Sequence, residues 1–263
     1  MEPTPPYQHV RSASKAALRQ PLCTRSGIDV VTIIVGVNIL VFAYMITLGD
    51  AALLNFIEEG AISVDGLRNG KWWQPVTHLF LHGGDLSLGM RITHLSLNML
   101  VIYMAGKELL PDVGTRHWLG LYLGSGILGG FFQILVTPGS PLLGASGAAF
   151  GLIAGLGCIH ANERLDVWIL GYQTHMYGGS FSQALLYSSG LLGIVALASS
   201  FTIPLISNMG HFAHFGGALG GLLYVKMIGL TPKTPTKASL EEERGLNDAR
   251  LEAKRKSSHQ MEA

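Results

Sequence analysis

Residues 28–48, IDVVTIIVGVNILVFAYMITL, hold one carboxylate and no cation in a stretch long enough to cross a lipid bilayer as one helix. A hydrocarbon core about 30 Å thick takes about 20 helical residues. Inside it every backbone N–H and C=O must be satisfied by the chain itself, which leaves helices or closed barrels as spanning structures. Further apolar runs follow at 92–105, 117–136, 145–160, within 181–206, and at 210–230. Together they predict an all-α membrane protein, a six-transmembrane-helix bundle. Composition agrees, because only 13% of residues are charged, against about 25% in soluble domains. The net charge of +1 gives no electrostatic footprint for nucleic acid, and none is expected as a partner.

Three parts are expected: a cytosolic N-terminal tail (1–27), the membrane domain (28–230) and a charged cytosolic C-terminal tail (231–263). An even number of spans puts both termini on one side. Lys and Arg favour the cytoplasmic side. Arg11, Lys15, Arg19 and Arg25 stand in the first tail, and Lys107, Arg116 and Arg164 in connections expected on the same side. The exception is the long first loop, with Arg68, Lys71 and Arg91. That loop also carries Trp72, Trp73, Phe80 and Leu81 beside His78 and His82. It is too polar to cross unaided, and paired tryptophans suit the headgroup region. It reads as an interfacial element packed on the bundle. Cys23 lies in a polar tail and Cys158 in an apolar run, so no disulfide is expected.

Polar side chains within membrane spans are costly and face the bundle interior. Five stand near span ends: His94, Asn98, Ser146, His211 and His214. His94 and Asn98 are spaced i, i+4 and share a helix face, as interhelical glue or as a pair of hydrogen-bond donors. Ser146 follows Pro138, Pro141 and Gly144, so it opens a helix whose first N–H groups lack intrahelical acceptors. Gly147, Gly151 and Gly155 form a stripe below it, which also fits plain small-residue packing. His214, Gly217 and Gly221 share one face of the last span. Base catalysis requires a hydroxyl and an imidazole nitrogen to approach within roughly 2.6–3.2 Å, whereas helix axes normally lie 8–10 Å apart. Glycine stripes on both helices permit the closer approach that such a contact favours.

These residues resemble the rhomboid family of intramembrane serine proteases. GASG (144–147) is similar to the family's Gly-x-Ser-Gly, AHFGGALGG (213–221) to its histidine followed by glycines, and HLSLN (94–98) to its His-x-x-x-Asn. WWQPVTHLFLHGG (72–84) resembles its first loop, and the segment from Gly106 to Gly130 its second loop and third helix. The likeness spans about residues 28–230. It implies Ser146 as nucleophile, His214 as general base, and His94 and Asn98 as oxyanion donors. It implies that Phe150 stacks on His214 and that the fifth helix, with Gly190 and Gly193, acts as a movable gate. No carboxylate stands in the middle of a span to orient the base, so a dyad is expected. His211 reads as structural or water-contacting. Two departures stand out. Gln74 follows Trp73 where the family usually carries arginine, and the interval from His82 to His94 is longer than usual.

The implied reaction is hydrolysis of peptide bonds in or next to transmembrane helices of single-pass membrane proteins, with no cofactor and no metal. A bacterial plasma (inner) membrane fits the compact layout, with an organellar membrane as the other location. The alternative is a catalytically silent relative that binds membrane helices; such relatives usually lack the serine or the histidine. A metal carrier using the histidines is disfavoured, because they have no acidic or cysteine partner at ligand spacing.

Overall fold

The computed structural model describes residues 28–83, 87–161, 164–169, 172–177, 189 and 210–230. Both tails, and the fifth candidate span apart from Ser189, lie outside the described residues, as do Gly190 and Gly193.

Helix α1 (Val30–Met45) begins at Asp29, whose carboxylate accepts from the Thr32 N–H and the Thr32 hydroxyl, each at 3.0 Å. Lys107 pairs with the same carboxylate and lies 3.1 Å from the Thr32 hydroxyl, tying this helix start to a later helix. One stripe of α1 is buried (Val31, Ile34, Asn38, Phe42 and Met45), while Ile33, Leu40 and Tyr44 are exposed. A helix that is apolar all round yet half uncovered needs an apolar surrounding. The inward polar Asn38 and outward leucine follow the logic of a bilayer rather than of water.

The first loop is built from three short helices, α2 (Asp50–Gly60), α3 (Val64–Arg68) and α4 (Gln74–Thr77), followed by a 3-10 turn at His78–Phe80. Trp72 and Trp73 are exposed, whereas His78, Leu79, Leu81 and His82 are buried. Gln74, at the position that departs from the resemblance, is fully buried and knits the loop. Its Oε1 accepts from the Ser63 N–H at 3.2 Å, and its Nε2 donates to the Glu58 carbonyl at 3.0 Å. Trp73 Nε1 and the Thr77 hydroxyl donate to the carbonyls of Glu59 and Gly60 at 2.9 and 2.8 Å. The neutral amide therefore ties the segments at Glu58 and Ser63 to α4. Gln74→Leu removes two part-buried hydrogen bonds to the loop backbone and is expected to cost about 1–3 kcal/mol. A lowered unfolding midpoint in detergent is the measurement, with an unchanged midpoint counting against the role.

Helix α5 (Leu88–Val136) is long and apolar enough to cross a membrane and consists of two helical arms joined at a kink. Gly114 adopts φ +71° and ψ 164°, outside helical space, three residues after Pro111. On a straight helix Gly106 and Trp118, 12 residues apart, would be separated by about 18 Å. Instead Trp118 Nε1 donates to the Gly106 carbonyl at 3.1 Å, so the chain doubles back at Gly114. The candidate spans 92–105 and 117–136 are thus two arms of one element joined by a tight reversal.

Helix α6 (Ser146–Ile159) and helix α7 (His211–Met227) pack on each other and on α5 to form the centre of the bundle. Trp118, Leu121, Tyr122, Leu152 and Ile102 supply its buried apolar mass. Between α6 and α7 the helical class gives way to an antiparallel hairpin, β1 (Arg164–Ile169) and β2 (Tyr172–Tyr177), paired from Arg164–Tyr177 to Ile169–Tyr172. The all-helical expectation is corrected at this connection. Val167, Trp168 and Ile169 pair with Thr174, Gln173 and Tyr172 in that order, and β-branched and aromatic residues favour extended chain.

Candidate active site

The serine's position is set before its helix starts. Ala145 is the N-cap residue of α6 and Ser146 the first helical residue, so the Ser146 N–H belongs to the group without intrahelical acceptors. The approach is held by two connections to the first loop. Ile62 and Leu142 exchange paired backbone hydrogen bonds of 2.9 Å, and the Gly144 N–H donates to the His78 carbonyl at 2.8 Å. Gly144 has φ +123°, a conformation that side chains disfavour, and a Cβ there would lie 3.2 Å from His94 Cε1. Glycine at this point both permits the turn and makes room for the histidine ring.

His214 lies one turn into α7, on the face that meets α6. Its Nε2 is 2.9 Å from Ser146 Oγ. The glycine stripes make that reach available. A Cβ on Gly217 would collide with the Gly147 carbonyl, and one on Gly221 with the Gly151 carbonyl. The two backbones therefore touch at successive turns, as close as helices can pack. Phe150, one turn along from Ser146, lies flat against the His214 ring, with centroids 4.2 Å apart and planes 5° from parallel. His211 meets the same ring edge-on at 6.1 Å and 89°. Ser146 and His214 are both half-buried.

Asn98 is buried on α5, one turn after His94, and its Nδ2 has no hydrogen-bond partner among the described residues. An amide donor buried without an acceptor is costly unless something visits it. His94 stands beside Gly144, two residues before the serine. His82, whose role the sequence left open, is fully buried with its ring centroid 5.6 Å from that of His94. Ser146, His214 and Phe150 thus form one cluster, and His94 lies against the turn that leads into it.

A family profile for the rhomboid domain matches residues 69–230. The chain belongs to the rhomboid family. It is therefore an integral membrane protein. The rhomboid match takes in the second part of the first loop, both arms of α5, and α6 and α7. Among curated relatives, this rhomboid is similar to Rhomboid protease GluP of Bacillus subtilis, 26% identical over 182 residues, or 69% of this chain and 31% of GluP. It is 29% identical to Putative rhomboid protease YdcA of Bacillus subtilis over 60% of this chain and 68% of YdcA. It is 31% identical to Rhomboid-like protein 11, chloroplastic, of Arabidopsis thaliana over 61% of this chain and 54% of the relative. The matched stretch is thus about a third of GluP and about two thirds of YdcA.

One polar residue of this rhomboid's core stood unremarked in its sequence. Gln133 of α5 accepts from the Ala213 N–H at 3.2 Å, next to His214. The sequence signal was a lone glutamine in the run FFQILV.

Proposed function

We propose that this rhomboid is an intramembrane serine endopeptidase that hydrolyses peptide bonds in or next to the transmembrane helices of single-pass membrane proteins. The observation that carries the reading is the 2.9 Å contact between Ser146 Oγ and His214 Nε2. In the proposed reaction Ser146 Oγ attacks the scissile carbonyl carbon as its proton passes to His214 Nε2. The C–N bond then breaks, the same proton goes to the leaving amine, and an acyl-serine remains. Water loses a proton to His214 as it attacks the acyl carbon, and Ser146 regains a proton as the acid departs. Phe150 holds the imidazole plane, a task that a carboxylate performs in a triad.

The tetrahedral oxyanion would be met by the Ser146 N–H, His94 and Asn98. The unfilled Nδ2 of Asn98 supports this, since a donor held ready for transient charge is worth most when nothing else occupies it. Asn98→Ala is expected to lower kcat by about 10²–10³-fold with KM little changed. Steady-state cleavage of a reporter transmembrane segment is the measurement, and an unaltered kcat removes Asn98 from the role.

The reading extends to six spans, with 181–206 as the fifth and as the gate. It places the first loop in the membrane interface through its outward Trp72 and Trp73, 74% and 50% exposed. Both termini would face the cytoplasm of a bacterial plasma membrane, with an organellar membrane as the other setting, in line with the chloroplastic relative. The test of the function is incubation of the detergent-solubilised full chain with a fluorophosphonate, followed by peptide mapping. An adduct on Ser146 is expected. Intact protein that takes no adduct yet still captures a transmembrane peptide would instead mark a silent binder.

A further inference from the structure

The start of α7 sets the depth of His214, yet that helix has no cap of its own. Gly210 is the N-cap residue and brings no side chain. The first N–H groups of a helix have no intrahelical acceptor, and Ala213, whose N–H is one of them, is only 1% exposed. Its acceptor comes from a different helix, Gln133 Oε1 at 3.2 Å. The other end of the amide fixes which way it faces. Gln133 Nε2 donates to Thr137 Oγ1 at 2.8 Å, and that hydroxyl gives its own proton to the Gln133 carbonyl at 2.9 Å. The hydroxyl oxygen can then only accept, so the nitrogen of the amide belongs there and the oxygen faces Ala213.

The carbonyl of Ala213 is held as well. A Cβ on Gly129 would lie 2.6 Å from it, and one on Gly147 3.2 Å. The residue before His214 is therefore held at its N–H by α5 and at its C=O between α5 and α6, the helix that begins with Ser146.

We infer that Gln133 is a positioning residue, capping α7 at Ala213 and thereby setting the height and rotation at which His214 meets Ser146. This rests on the serine–histidine reading above. Gln133 touches no reacting atom and acts only through the helix. One residue of helical slip moves a side chain by 1.5 Å and 100°, more than a 2.9 Å contact tolerates.

The test uses the full chain in detergent with Gln133→Leu and Gln133→Glu. The readouts are the rate of fluorophosphonate labelling at each variant's own optimum pH, hydrogen exchange of segment 211–216, and the unfolding midpoint. Gln133→Leu is expected to label roughly ten-fold more slowly, to exchange faster at 211–216 and to lower the midpoint modestly, with exchange in α6 near wild type. Gln133→Glu keeps an oxygen acceptor in reach and is expected to recover labelling to within about three-fold. Wild-type labelling in Gln133→Leu, no recovery in Gln133→Glu, or a loss accompanied by faster exchange throughout α5 and α6 would each overturn the inference. Wild-type protein that takes no adduct sinks the serine–histidine reading instead. Exchange at 211–216 then judges the cap alone: faster in Gln133→Leu upholds it, unchanged removes it.

Discussion

Ser146→Ala is expected to lower cleavage of a reporter transmembrane substrate by roughly 10⁴-fold or more. The substitution removes one oxygen from a half-buried position and adds no bulk, so α6 and its contacts with α7 should persist. Substrate binding should survive with the fold, and the loss should fall on kcat. His214→Ala should follow closely, because groups that act as a unit lose nearly everything when either is removed. The double variant should then be little worse than each single one. Initial rates with a purified substrate in detergent or liposomes, with capture of the uncut substrate as a control, decide the matter. Substantial cleavage by Ser146→Ala would move the chemistry elsewhere in the chain.

The second large effect is expected from a residue with no functional group. Gly217→Val places carbon atoms where the Gly147 carbonyl already stands, against backbone that has no flexible end to yield. Helices α6 and α7 must separate, and His214 leaves Ser146 as they do. A displacement of about 1 Å can cost 10² in rate, so labelling should fall by at least about 10²-fold. The unfolding midpoint should also drop, by the 1–3 kcal/mol or more typical of an overfilled core. Gly217→Ala should stand between wild type and valine. Gly36→Ala is the control, since a Cβ there meets nothing within 4 Å, and it should leave both readouts within about 0.5 kcal/mol of wild type. Equal behaviour of Gly217→Val and Gly36→Ala would remove the close helix approach as the basis of the site.

How far the sequence reveals such a molecule depends on the range of each interaction. Ser146 was legible because the prolines and Gly144 upstream mark a helix start, which is a local signal. His214 was legible because its spacing to Gly217 and Gly221 puts it on a glycine face, a periodic signal. Gln133 and Gln74 were not, since each is defined by a backbone group far away along the chain, 80 and 16 residues distant. A single amide in an apolar or loop segment gives no periodicity that would announce such a partner. The arms of α5 appeared as separate runs because Lys107, Glu108, Asp112 and Arg116 interrupt hydropathy where the chain reverses at Gly114. The hairpin did leave a trace. VWI and YQT, within the two strands, are rich in the β-branched and aromatic residues that favour extended chain.

The paired hydroxyl and imidazole come from residues 68 apart in the chain, and this has a bearing on biosynthesis. On the proposed serine–histidine reading, a ribosome delivers Ser146 long before His214, so a nascent chain holds its nucleophile without its base. Reactivity is then deferred until α7 is inserted and Gly217 and Gly221 have seated against Gly147 and Gly151. A truncated translation product ending before residue 211 would therefore be inert toward its neighbours in the bilayer.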